Sequence, residues 1–375
     1  MRIFQKLSVD WLEKRKLFYL ISGSLFLLGV ISIVFRGLEF GIDFKGGSEI
    51  ELRFEKPINI AQIREYAADM GLGNVEIKTF GGEEGVLIRT ELQEVPPSLY
   101  PRITGAIENS INKIIPGLPY RVIDSTNNSV TYQFASSDTT QYLADKLFNE
   151  GFQTSQIQEN QVAVSIGISD WIKENLKERM PDNDFQVRKA ITVGPKVGDE
   201  LKMDAVIAVI LSLLVILVYL GFRFKFVFAV GAVAALFHDV LITFGLFSIL
   251  YGLIPGLNLE IDVTVVAAFL TLVGYSINDT VVVFDRVREE MKIHKTVPLY
   301  ENLNSAVNKT MSRTVLTGGT TLLSLLVLIF VGGEVLRTFA FTLFFGIIIG
   351  TYSSIFVASS FVYEYASRVK KKITF

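Results

Sequence analysis

No cysteine occurs in the 375 residues, and there are only two histidines, His238 and His294. The first absence excludes disulfide staples and thiolate metal sites, so any domain outside the membrane must fold on its own core. The second argues against a multi-histidine metal centre. No nucleophile–base–orienter set and no nucleotide-binding loop can be assembled from the rest, so neither an enzyme nor a cofactor is expected. The net charge of -2 gives no electrostatic footprint for nucleic acid. What the chain has in excess is apolar surface: half of its residues are hydrophobic, more than an ordinary soluble domain carries.

That excess is unevenly placed. It concentrates at 17–35, 203–222, 226–250, 261–284, 314–333 and 338–363, each near the roughly 20 residues that cross a hydrocarbon core as a helix. Six transmembrane helices are expected. The first run is followed by Phe35, Arg36 and Gly37 rather than by a small-residue cleavage site, which distinguishes it from a signal peptide. Lys and Arg crowd residues 1–16 (Arg2, Lys6, Lys14, Arg15, Lys16), the hinge at Arg223 and Lys225, the segment 286–313, and the tail 364–375 with Arg368, Lys370, Lys371 and Lys372. By the positive-inside rule both termini are cytoplasmic and the segment 36–202 lies outside. That segment carries 25 acidic and 18 basic residues, seven more acidic than basic.

The outer segment has the pattern of a folded domain. Residues 50–54 alternate as a half-buried strand, Asn59 caps a helix over 60–70 that Gly71 and Gly73 close, and strands follow at 75–80 and 86–89. The order then recurs: strand 130–134, helix 140–152 with Gly151 as terminator, strand 162–166. Each copy is followed by a helix (98–115, then 170–180) and a closing strand (120–123, then 185–193). An extracytoplasmic α+β domain of ferredoxin-like character is expected, duplicated as modules 48–124 and 129–194.

Ionisable groups inside a span cost a few kcal/mol each and ask for compensation. His238 and Asp239 fall in the third span, Asp279 beside Asn278 in the fourth, and Arg313 opens the fifth. Asp279 lies about six residues, or about 9 Å, from the end of its span where Arg313 enters the next, which puts the two within pairing reach. Thr271, Tyr275 and Asp279 form one stripe, with Gly274 and Asn278 beside it, and that face must look into the bundle or at a partner. Two readings of Asp279 stand: a proton carrier poised between burial and a nearby guanidinium, or a static clamp between spans. His238 either relays protons or simply satisfies Asp239. Gly346 and Gly350 are a small-xxx-small pair for close helix packing. The segment from Gly41 through Asp43 to Gly46 and Gly47 lacks the context of a phosphate loop and has the character of a turn-rich junction.

Taken together, Gly41-Ile42-Asp43-Phe44-Lys45-Gly46-Gly47, the run 193–201 with Gly194, Pro195 and Gly198, His238-Asp239, the stretch 274–286, Arg313-Thr314, Thr317-Gly318-Gly319-Thr320-Thr321 and the run 350–355 resemble the signatures of the SecF family, in their expected order. The resemblance implies a fold like half of an RND-superfamily transporter, paired with SecD and working beside the SecYEG translocon and YajC in the inner membrane. It implies proton-driven export of unfolded preproteins, with Asp279 and Arg313 on the proton pathway and His238, Asp239 and Asn278 as further candidates. An RND-type exporter half and a purely structural translocon scaffold are the alternatives. The outer domain is longer than the single compact module expected of that family, by about the length of the second copy.

Overall fold

The computed structural model describes residues 7–126, 129–149, 152–165, 167–254 and 257–369. Arg2, Lys6, Gly151, Ile166, Lys370, Lys371 and Lys372 lie outside the described residues. In chain order the helices are α1 (Arg15–Arg36), α2 (Ile42–Lys45), α3 (Ile60–Ala68), α4 (Tyr100–Ile114), α5 (Ser137–Asn149), α6 (Ile168–Arg179), α7 (Pro195–Arg223), α8 (Phe226–Leu250), α9 (Val263–Ile293), α10 (Leu299–Val331), α11 (Gly333–Ser353) and α12 (Ser359–Val369). The strands are β1 (Gly47–Phe54), β2 (Val75–Thr79), β3 (Gly85–Thr90), β4 (Arg121–Thr126), β5 (Ser129–Gln133), β6 (Gln153–Gln158), β7 (Gln161–Ser165) and β8 (Phe185–Val193). Two compact units result, Ile42–Asp199 and Met1–Gly41 with Glu200–Phe375.

In the helical unit six segments are long and apolar enough to cross a membrane: α1, α7, α8, α9, α10 and Leu336–Arg368. The last is α11 continued through a π-helical turn, Ser354–Ala358, into α12. Helices α9 and α10 outrun the apolar stretches that announced them. Asp262 caps α9 by accepting from the Val265 N–H at 2.7 Å. The polar first turns of α10 bind the chain's own start: Asn304 Oδ1 accepts from the backbone N–H groups of Trp11 and Leu12, and Asn308 Oδ1 from Val9 N–H and the Trp11 indole. Glycine brings two helices into direct backbone contact. A Cβ on Gly245 would lie 2.7 Å from the Gly29 Cα, so α1 and α8 meet backbone to backbone, and Ser32 and Ser248 hydrogen-bond at 2.8 Å beside them.

The α/β unit holds two four-stranded antiparallel sheets, ordered β2-β3-β1-β8 and β4-β5-β7-β6. Asn59 caps α3 as its sequence position predicts, accepting from Ala61 N–H at 3.0 Å. Within the first sheet Ile50, Leu52, Val86 and Ile88 enter a core that also holds Val130, Tyr132, Val162 and Val164 of the second, so one cluster serves both. The Trp171 indole donates to the Met70 carbonyl at 2.9 Å within it. On the other face of the first sheet, buried Glu49 is satisfied by Arg89 at 2.6 Å and Lys189 at 3.0 Å. Burial holds its neighbour Glu51 above the usual carboxylate range.

The repeat in space is not the repeat in chain order. Strand β8, which follows the second copy, pairs antiparallel with β1 of the first, and β4, which follows the first copy, pairs with β5 of the second. Each β-α-β-β copy is therefore closed by the helix and strand of the other, and the stretches 48–124 and 129–194 are not separate spatial modules. Both sheets offer the same open edge to an incoming strand, so local periodicity cannot say which one it joins. A further strand, β6, and the one-turn helix α2 also had no clear sequence signal.

Cysteine pairs can report this exchange in a chain without native cysteines. The Ser48 and Thr192 hydroxyls lie 2.9 Å apart. Ser48→Cys with Thr192→Cys is expected to close a disulfide on mild oxidation and run faster on a non-reducing gel. A pair that stays reduced would contradict the β1–β8 register.

Candidate functional site

The site lies in the helical unit, where α8, α9 and α11 carry polar groups that the surrounding apolar side chains cannot satisfy. Asp239 on α8 is 1 % exposed and Asp279 on α9 is 5 % exposed. Carboxylates so enclosed need hydrogen-bond donors from neighbouring helices.

For Asp239 the donors come from three directions. Ser276 on α9 and Ser353 on α11 both donate to Oδ2, at 2.7 and 2.8 Å. Oδ1 lies 3.0 Å from Nδ1 of His238. The His238 Nε2 in turn lies 3.0 Å from the Ser22 hydroxyl on α1, and Ser22 lies 2.8 Å from the Tyr352 hydroxyl. Tyr352 ends the series by donating to the Phe18 carbonyl at 2.8 Å. His238 and Asp239 thus become the centre of a network joining α1, α8, α9 and α11.

Asp279 is held differently. Its hydrogen-bonding partner is the Thr351 hydroxyl of α11, and Arg313 is the positive charge that bears on it. The two do not form a direct salt bridge among the described residues. Arg313 is exposed, and among the described residues its guanidinium makes neither a hydrogen bond nor an ion pair. The pairing reach expected from helix depth is therefore an electrostatic proximity and not a closed clamp. The polar stripe of α9 also divides. Asp279, Ser276 and Thr280 are buried, while Thr271, Gly274 and Asn278 are exposed and Tyr275 reaches across to the Thr317 carbonyl and the Thr321 hydroxyl, both at 3.0 Å.

Helix α11 links the two carboxylates. Thr351 reaches Asp279, Tyr352 reaches α1, and Ser353 reaches Asp239. Successive helical residues point about 100° apart, which lets three consecutive side chains serve three neighbours. The π-helical turn begins at the next residue, Ser354, and such turns concentrate at functional sites. Ser276, Thr351, Tyr352 and Ser353 had no assigned role from sequence, although all four lie in the resemblance runs. Ser22 gave no signal at all, being a lone hydroxyl in an apolar run.

The glycine-rich residues occupy a separate place. Gly46 and Gly47 adopt φ of +74° and +114°, and a Cβ on Gly47 would collide with the Thr90 carbonyl. A Cβ on Gly198 would sit 3.2 Å from the Phe44 carbonyl and 3.3 Å from that of Asp43, and one on Gly46 would sit 3.2 Å from the Pro195 Cα. Residues 43–47 and 194–198 are thus pressed together almost without side chains between them. The Gly41 N–H donates to the Ile261 carbonyl at 2.8 Å.

Gly350 is the position at which the network is tightest. A Cβ there would lie 2.8 Å from the Ser276 hydroxyl and 3.0 Å from its Cβ. Gly350→Ala is expected to push Ser276 off Asp239 or α11 off α9, at a cost of about 1–3 kcal/mol. Thermal melting in detergent should fall, whereas Gly319→Ala, which meets open space, should leave it unchanged. Equal melting of both variants would refute the packing argument.

Residues 172–368 match the family described as protein export membrane protein SecD/SecF, C-terminal, and residues 31–58 match the SecD/SecF GG motif. The protein translocase subunit SecF of Rhodothermus marinus is 40 % identical over 368 residues, covering 98 % of this chain and 96 % of that protein. The SecF subunit of Calditerrivibrio nitroreducens is 35 % identical over 367 residues, covering 97 % and 96 %. Among solved structures, SecDF of Thermus thermophilus, described as a translocon-associated membrane protein, superposes with a TM-score of 0.69 at 28 % identity. It covers 97 % of this chain, which spans 39 % of the SecDF chain. A SecDF structure in a super-membrane-facing form gives a TM-score of 0.58 at 29 % identity. Because the SecF relatives align over almost their whole length, the second β-α-β-β copy belongs to the shared length and is not an addition peculiar to this chain, as its sequence had suggested. This multi-pass membrane protein belongs to the SecF family of protein translocase subunits.

Proposed function

We propose that this chain works as the SecF half of a SecDF-type assembly that uses proton flow through the membrane to promote export of preproteins. The observation that carries the reading is Asp279. It is a buried carboxylate with one hydroxyl partner and a guanidinium acting on it without a bond. A clamp would close such a pair, whereas a proton carrier needs a carboxylate whose charged and neutral forms are both tolerated. Arg313 gives the charged form support, and the Thr351 hydroxyl can donate to the carboxylate or accept from the acid.

The exposed Thr271 and Asn278 of α9 and the exposed Arg313 of α10 favour a partner helix bundle over lipid, since a charge facing hydrocarbon costs a few kcal/mol or more. SecD is that partner in this reading, with SecYEG, YajC and the unfolded preprotein as the further members of the assembly. The distribution of Lys and Arg supports an inner-membrane orientation with both termini cytoplasmic and the α/β unit on the opposite side.

Asp279→Asn tests the proposal in cells by export of a preprotein with and without a proton-motive force. Export should fall to the level seen without the gradient while the blotted amount of protein is unchanged. Retained, gradient-dependent export would favour a scaffold. The paired substitution Asp279→Asn with Arg313→Gln separates the two further: it removes both charges and keeps both side chains polar, so a scaffold keeps working and a proton pathway stays silent.

A further inference from the structure

The donors and acceptors around His238 can be ordered completely, because one end of the series is fixed. A backbone carbonyl only accepts, so Tyr352 donates its single hydroxyl proton to Phe18, at 2.8 Å. Tyr352 then accepts from Ser22, at 2.8 Å. Having donated there, Ser22 accepts from His238 Nε2, at 3.0 Å. The Nε2 nitrogen therefore carries a proton.

That order fixes what lies between His238 and Asp239. A neutral imidazole protonated on Nε2 presents a bare lone pair at Nδ1. Asp239 Oδ1 lies 3.0 Å from it. Two lone pairs at that distance repel, so the contact holds a proton as well. The pair carries one proton more than a neutral imidazole beside a carboxylate, either as imidazolium and carboxylate or as imidazole and carboxylic acid. Its net charge is zero in both forms, which suits an apolar surrounding. Ser353 also lies 3.1 Å from the Gly350 carbonyl and can turn its proton there, but no placement of protons at Oδ2 relieves the Nδ1–Oδ1 contact.

We infer that His238 and Asp239 form a second proton-holding site, distinct from Asp279, whose proton is retained by the donor order that the Phe18 carbonyl imposes through Tyr352 and Ser22. The inference deepens the proton-driven reading above, although the extra proton follows from the hydrogen bonds alone. Releasing it inverts the series: His238 donates from Nδ1 to Asp239, Ser22 donates to Nε2, and Tyr352 donates to Ser22. Phe18 then loses Tyr352. Since Phe18 and Ser22 belong to α1 while His238 lies on α8 and Tyr352 on α11, withdrawing α1 removes the constraint and returning it restores the constraint. Proton occupancy and the seating of α1 are thereby coupled, with Ser22 and Tyr352 as positioning residues.

With two histidines in the chain, nitrogen-15 labelling of histidine gives two ring systems, and His294→Gln identifies the other. The full-length chain in lipid nanodiscs would be read by NMR between about pH 5 and 8, the window in which an ordinary histidine titrates. The expected result is an Nε2 of His238 that stays protonated throughout. Tyr352→Phe removes the donor to Phe18 and the acceptor for Ser22. The ratio of Nε2–H to Nδ1–H forms should then fall by about fivefold, the effect of one hydrogen bond. A bare Nε2 at neutral pH in the native chain would overturn the inference without any variant having to fold. So would ring nitrogens unchanged by Tyr352→Phe. Neither readout involves export, so a failure here leaves the Asp279 test untouched, and the reverse also holds.

Discussion

Asp239 sits in an apolar helix with both oxygens enclosed, and satisfying them organises the helices around it. Enclosed oxygens must find hydrogen-bond partners among their neighbours, and here these are Ser276 on α9, Ser353 on α11 and His238 on α8 itself. His238 then needs a partner of its own, which brings in Ser22 of α1 and, through it, Tyr352. Because its members come from α1, α8, α9 and α11, the network constrains four helices at once.

Close packing makes these bonds geometrically accessible. Serine hydroxyls are short, and they reach across only where backbones approach nearer than ordinary side chains allow. Gly29 and Gly245 supply that approach between α1 and α8, and Gly350 supplies it between α11 and α9. A Cβ on Gly346 would strike the methyl groups of Leu272, extending the same contact by one turn. The small residues and the polar ones are therefore a single design feature: glycine brings the helices near, and serine closes the remaining gap.

In the α/β unit the corresponding constraint is the open edge of a three-stranded sheet. Strands β1 and β5 each expose a row of backbone groups that must be paired or left to water. The following helix and strand of the opposite copy cover each edge, and the core around Trp171 and Tyr132 becomes common to both. Reciprocal exchange of this kind is the intramolecular counterpart of domain swapping. It makes the halves dependent on each other in a way that two modules in series would not be.

The six apolar runs, the capped helix after Asn59, the recurrence of strand, helix and late strand, and the positions of the intramembrane His238, Asp239, Asp279 and Arg313 were all legible in the sequence. Each is a local matter of composition, periodicity or a single costly residue. Which edge β8 would join was not legible, because alternation assigns faces and not partners. The Ser22 contact was invisible for a related reason: a serine in an apolar helix gains a role only from what another helix places opposite it. The sequence likewise put Asp279 and Arg313 at matching depth, but depth along two helices does not set rotation about their axes. Tertiary packing made that choice, turning Asp279 inward to Thr351 and leaving Arg313 exposed.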